Sequence, residues 1–289
     1  MKFKKNLASI IMPSCHKLTS KNKICYENSI KQNYGNVEFL IFVNGIDKKK
    51  YYKLLDFLEN KNIYNHKIKS LYSKSRVAIG KARRELLKIS NGEYIIFLDS
   101  DDIPSKSIIK DKVLISKLNN SNIIFSNAKL HKNSPSKKRK INNRNYFRYL
   151  IRFKKIFNHQ IFEGINLFPN SGTLIKKTRE ISKLLEFYPI CNHEDFIFYK
   201  KLIAINKEFT ISNKYLISYN VGNSSTSNKL KSRIWHFNCL IKELNRNFIQ
   251  AIISIFIGSL IIIILRILYI FFNPNNIKKD IHKKIILKK

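Results

Sequence analysis

Apolar and polar positions along the chain follow two periods in turn. Short, mainly apolar runs at Leu7 to Met12, Val37 to Val43 and Tyr94 to Leu98 have the length and the β-branched or aromatic content of buried strands. Between them, apolar residues recur at helical spacing: Ile24, Tyr26 and Ile30, then Tyr51, Leu54, Leu55 and Leu58, then a helix from Ile79 to Ile89. A weaker strand lies at Lys67 to Tyr72, and a further helix and strand follow at Ile108 to Leu118 and Asn122 to Ser126. Strands alternating with helices predict an α/β domain with a parallel, doubly wound sheet and right-handed crossovers.

A different pattern closes the chain. Phe248 to Phe272 is almost wholly apolar, interrupted mainly by Gln250 and Arg266. A helix of that length reaches across a bilayer core of about 30 Å, with Arg266 near one end able to snorkel to the headgroups. A transmembrane span is expected; a helix lying in the membrane plane or re-entering it, and a buried core helix, are the alternatives. Lysines flank both sides, so charge does not orient it. The expected organisation is a soluble domain over 1–240, the membrane helix at 248–272 and a basic tail at 273–289.

Charge adds a second membrane signal. The formal net charge is +36, and residues 129 to 155 hold many lysines and arginines and no acid. Within a basic insertion at 129–160, Tyr146 to Phe157 is amphipathic, with Arg148, Arg152 and Lys155 on one stripe and Phe147, Leu150, Ile151, Phe153 and Phe157 covering much of the rest. That pattern suits a helix on an anionic membrane. Nucleic-acid binding is the rival explanation, but no recognisable module for it is present and the apolar helix points to lipid. Cys15, Cys25, Cys191 and Cys239 are scattered without metal-ligand spacing, so disulfides are not expected and a reduced, cytosolic site is. Leu7 to Met12 is too short for a secretory signal. With eight glycines, the chain has no phosphate loop and no dinucleotide fingerprint.

The chemistry concentrates where the Tyr94 to Leu98 strand runs into Asp99, Asp101 and Asp102. Ligands of open α/β sheets bind at the carboxyl ends of strands. Carboxylates this close repel unless a cation offsets them, and oxygen ligands suit Mg²⁺ or Mn²⁺. The same run also reads as a solvated turn, with Asp102 capping the next helix. Glu194 and Asp195 likewise either open a helix, where acids are favoured in the first turn, or carry chemistry.

Four elements in order resemble the family 2 glycosyltransferases of GT-A fold, over roughly residues 7 to 228. They are Ala8 to Ser14, an apolar strand ending in a proline turn at Pro13 and Ser14; Glu38 to Gly45; Ala82-Arg83-Arg84 followed by Gly92-Glu93-Tyr94 and the aspartate run; and His193-Glu194-Asp195-Phe196. The resemblance implies a nucleotide-sugar donor contacted by Pro13, Ser14, Asn44, Arg83 and Asp99. It further implies a divalent ion at Asp101 and Asp102 that stabilises the leaving diphosphate, and an acceptor side at Asn170, Gly172 and Glu194. Asp195 would be the base that takes a proton from the acceptor hydroxyl, in one inverting displacement.

Departures from the family pattern are equally specific. Val43-Asn44-Gly45 stands where many members have two acidic residues, and Tyr219 to Ser225, similar to a closing loop, has Asn220 and Gly222 where arginine and histidine are common. Nothing matches the Gln-Xaa-Xaa-Arg-Trp motif of processive synthases, so transfer of one sugar is expected. The expectation is a membrane-associated enzyme with a cytoplasmic catalytic domain, acting on a glycan or lipid-linked glycan in surface polysaccharide synthesis. An inactive glycosyltransferase-like scaffold is the second reading.

Overall fold

A computed structural model of the chain describes residues 3–15, 18–132, 163–164, 170–206, 209–221 and 229–272. Four strands come first. β1 (Lys4–Ser14), β2 (Val37–Asn44), β3 (Lys67–Ser73) and β4 (Gly92–Phe97) are joined by α1 (Ser20–Ile30), α2 (Lys48–Lys61) and α3 (Ile79–Lys88). β1 pairs in parallel with both β2 and β4, and β2 with β3. Local chemistry sets the helix starts: Thr19 and Asn22 form a capping box on α1, and the Asp47 carboxylate accepts the Lys50 N–H at 2.9 Å on α2.

The second half departs from a purely parallel sheet. β5 (Ile103–Pro104), α4 (Ile108–Leu118), β6 (Ile123–Lys132), β7 (Leu174–Lys176), α5 (Arg179–Glu186), α6 (Glu194–Ile205) and β8 (Thr210–Val221) complete an eight-stranded sheet of order β3-β2-β1-β4-β7-β6-β8-β5. β7 runs antiparallel to β4 and β6, and β5 antiparallel to β8. β7 has three residues, too few for any period to show, and its direction is set by a turn at Gly172, whose φ of +83° favours glycine. Lys112, buried in α4, donates to the Ile124 carbonyl at 2.8 Å and to the Gly172 carbonyl, which fixes that turn against β6.

The strands alternate sides with period two. Ile10, Met12, Phe39, Ile41 and Ile96 pack under α1, α2 and α4, while Ile11, Leu40, Ile95 and Phe97 pack under α3, α5 and α6. Each such side chain contributes about 1.5–3 kcal/mol by leaving water. A third, smaller cluster joins Phe196 and Ile197 of α6 to Cys239 and Leu240 of α7 (Lys229–Leu244) and Ala251 of α8 (Phe248–Phe272).

The terminal apolar run is a helix of 25 residues, but the expected membrane span is not supported: among the described residues no helix is long and apolar enough to cross a membrane. The physical reason is visible in the packing, since one face of α8, at Ala251 and Gly258, is buried against the domain. The amphipathic stretch at 146–157, most of the 129–160 insertion, the 273–289 tail and the loop positions from Gly222 to Ser225 lie outside the described residues.

Candidate active site

The carboxyl ends of β1, β2 and β4 converge on a cleft of about 820 Å³. Pro13 and Ser14 close β1, Asn44 closes β2, and Asp99 and Asp101 follow β4; all five line the cleft. The strands hold these polar ends in place because the apolar residues before them are sealed in the two cores. Asn44 is buried; it donates to the Ser14 carbonyl at 3.4 Å and accepts the Val77 N–H at 3.3 Å, pinning two strand ends and the loop after β3.

Arg83 organises the middle of the cleft. It is 2% exposed, donates to Asp99 Oδ1 at 2.6 Å and pairs with the Glu194 carboxylate. The Asn170 amide is satisfied with its oxygen accepting from Arg83 Nη2 at 2.7 Å and its nitrogen donating to the Tyr199 hydroxyl at 3.0 Å. One guanidinium therefore ties the end of β4, the start of α6 and the loop before β7, and a buried arginine so engaged needs those partners. Burial pulls the Arg83 pKa down, but Tyr188, Asp99, Glu194 and Asp195 outweigh that, and the group is held well above its ordinary value. Burial pushes the Glu194 carboxyl up to about 7 against the pull of Arg83, and the neighbouring Asp195 adds to the rise. Gly80 permits this approach, since a Cβ there would run into the Pro189 carbonyl and stand 3.1 Å from Glu194 Cγ.

Asp195 lines the same cleft from the first turn of α6, where its Oδ1 accepts the Phe196 N–H at 2.8 Å. The preceding His193 has φ of +55°, a left-handed conformation that a non-glycine residue adopts at a cost, and active sites often hold such residues. Contacts from α7 hold it there. A His193 ring nitrogen lies 3.1 Å from the Ser232 carbonyl, and the Cys239 thiol donates to the Asn192 carbonyl at 2.8 Å.

The metal reading is only partly met. Among the described residues no group of three or more His, Cys, Asp or Glu is placed to hold an ion. Asp101 lines the cleft, whereas Asp102, the expected second ligand, is 3% exposed and is not among the lining residues; its N–H closes the turn onto the Asp99 carbonyl at 3.1 Å. Mg²⁺ and Mn²⁺ sites commonly use one or two carboxylates with substrate phosphates and water, so Asp101 fits an ion completed by a diphosphate. Gly172 is likewise absent from the lining and serves the backbone turn before β7. Arg83, expected at the diphosphate, is occupied by Asp99 and Glu194.

Several lining residues escaped the sequence reading. Arg76 stands beside Cys15 after β3, and Ser232, Arg233, Trp235 and His236 of α7, with Ile255 and Ser259 of α8, form another wall. The lone tryptophan, Trp235, was the available signal, since a single large aromatic two residues after Arg233 suits a sugar-binding wall, but it does not fit the Gln-Xaa-Xaa-Arg-Trp motif.

A mostly parallel sheet with this cleft at its strand ends is the architecture of the GT-A fold. The chain belongs to glycosyl transferase family 2, which it matches over residues 9–179. It is 28% identical over 253 residues to an uncharacterised glycosyltransferase of Haemophilus influenzae, covering 85% of this chain and 92% of that one. It is 25% identical over 228 residues, covering 78% and 81%, to the Escherichia coli UDP-Glc:alpha-D-GlcNAc-diphosphoundecaprenol beta-1,3-glucosyltransferase WfgD. Among solved structures, Staphylococcus aureus TarS 1-349 in complex with UDP-GlcNAc superposes with a TM-score of 0.55 at 14% identity over 93% of this chain and 74% of that one. The chain spans 44% of the longer TarS structure. The mannosyltransferase PcManGT of Pyrobaculum calidifontis, in complex with GDP-Man and Mn²⁺, gives 0.57 at 12% identity, covering 88% and 73%.

Proposed function

We propose that this glycosyltransferase moves a single sugar from a nucleotide-sugar donor to a hydroxyl of a lipid-linked glycan, at the cytoplasmic face of a membrane, during surface polysaccharide assembly. The observation that carries the proposal is that Asp101 and Asp195, far apart in sequence, line one cleft with the strand-end residues Pro13, Ser14 and Asn44. The acceptor class follows from the likeness to WfgD, whose name specifies a sugar on diphosphoundecaprenol.

In this reading the acceptor oxygen attacks the anomeric carbon as the bond to the diphosphate breaks. The acceptor proton passes to an Asp195 carboxylate oxygen, and one displacement inverts the anomeric centre. Asp101 would hold a divalent ion, which when bound would supply Lewis-acid stabilisation of the leaving diphosphate. Arg76, on the cleft wall, meets the same diphosphate in the role expected of Arg83. Arg83 instead positions: it orients Glu194, and so the helix start that carries Asp195, relative to Asp99. Pro13, Ser14 and Asn44 form the floor under the nucleoside, and Asn170 with Glu194 supports the acceptor side.

Binding of a panel of nucleotide sugars, with and without Mn²⁺, tests the reading. Selective, Mn²⁺-enhanced thermal stabilisation by one donor is expected. An equal response to every polyanion would overturn it in favour of charge-driven binding.

A further inference from the structure

α8 has two unlike faces. The inner one is fastened to the catalytic unit by a glycine crossing: a Cβ at Gly258 would stand 2.7 Å from Gly164 Cα, and one at Gly164 would stand 2.9 Å from Gly258 Cα and run into the Ser254 carbonyl. The segment carrying Gly164 is itself tied down, because the Glu163 carboxylate accepts from Arg246 at 2.7 and 2.9 Å and its carbonyl lies 2.6 Å from His236 Nε2. Ser259 accepts from Arg233 Nη1 at 2.9 Å, and both line the cleft. The other face is apolar and exposed to an extent water disfavours: Ile249 is 68%, Phe256 70% and Ile263 51% exposed, at seven-residue spacing on one stripe. Ile252, Ile253 and Leu260 widen that stripe, each about half exposed.

We propose that α8 is a lipid-docking element that lies flat on the membrane, its outward face in the headgroup and upper acyl layer while its inner face forms the acceptor wall of the cleft. The occupant is an anionic lipid surface rather than a second copy of the chain. The chain carries +36, and the sequence of α7, packed alongside α8, is net basic, a charge that opposes self-association and favours anionic headgroups. A helix docked on the domain from Ala251 to Ile261 cannot stand across a bilayer without carrying the polar domain with it. In-plane helices of this kind sink about 5–10 Å into the boundary. The inference rests on the membrane association proposed above and adds its surface and geometry.

Depth measurements on the full chain test it, with Cys15 and Cys191 replaced by serine and a single environment-sensitive label at Ile249→Cys, Phe256→Cys or Ile263→Cys. With vesicles of phosphatidylcholine and phosphatidylglycerol, all three labels are expected to shift to the blue and to be quenched most by lipids brominated near the headgroup. Deep quenching at positions 256 and 263, which flank the middle of the helix, with shallow quenching at 249 near its end would overturn the proposal in favour of a span, and so would no quenching at any position. Concentration-dependent quenching between labelled chains without lipid would assign the face to a dimer and overturn it equally. The paired Ile253→Glu and Phe256→Glu substitutions should cut vesicle-bound protein at least tenfold with an unchanged melting temperature; undiminished binding would also refute it. Donor binding is read separately, so a chain that docks flat but binds no nucleotide sugar would refute the enzymatic reading and leave this one standing.

Discussion

Asp195 and Glu194 are adjacent in sequence, yet their surroundings give them different work. Both line the cleft, but Glu194 is buried and paired with Arg83. Asp195→Asn is therefore expected to keep donor affinity, measured by calorimetry, and to lose transfer by about 10²–10⁴-fold, the usual worth of a positioned general base. Asp101→Asn should instead abolish the Mn²⁺ enhancement of donor binding. Glu194 adds a pH signature. Its folded pKa of about 7 exceeds the ordinary 4.5, so the folded chain keeps a proton that the unfolded chain has already released. This group's contribution to stability is full below pH 4.5 and is lost as pH rises toward 7. Melting temperatures of wild type and Glu194→Gln across that range should show a slope in the first that is reduced in the second.

Elements explain why the first half of the site was legible in the sequence and the rest was not. β1, β2 and β4 are mainly apolar runs whose polar terminators, Ser14, Asn44 and Asp99, stand out against them, so the strands and the residues at their ends that line the cleft could both be read. β7 and the two-residue β5 carry no period, and their antiparallel pairing depends on contacts distant in sequence. Asp102 looked equivalent to Asp101 because one residue of spacing cannot say which side chain a turn buries. The role of Arg83 was hidden for a similar reason: its partner Glu194 lies 111 residues away. Gly80 gives this a sharp test. Gly80→Ala puts a methyl group into the Pro189 carbonyl, so the Asn192 to Asp195 turn must move; a loss of about 1–3 kcal/mol in denaturant unfolding is expected, with a fall in kcat larger than any change in donor Kd.

At the scale of the whole molecule, α7 and α8 decide whether the chain is a catalytic domain with a detachable anchor or one cooperative unit. An anchor would leave the domain intact when removed. Here Phe196 and Ile197, on the helix that carries Asp195, share a core with Leu240 and Ala251, and the turn before Asp195 hangs from Ser232 and Cys239. Removing residues 248–289 strips Ala251 and Ile255 from that core and Ile255 and Ser259 from the cleft wall. The truncated chain is expected to lose several kcal/mol of stability, on the order of what two buried aliphatic contacts and their neighbours supply. Its transfer to a water-soluble acceptor, which needs no membrane, should fall at least tenfold, while donor binding at Pro13, Ser14 and Asn44 weakens far less. Full activity of the truncated chain on the soluble acceptor would show that the base is held without α8, and that the two ends of the molecule work independently.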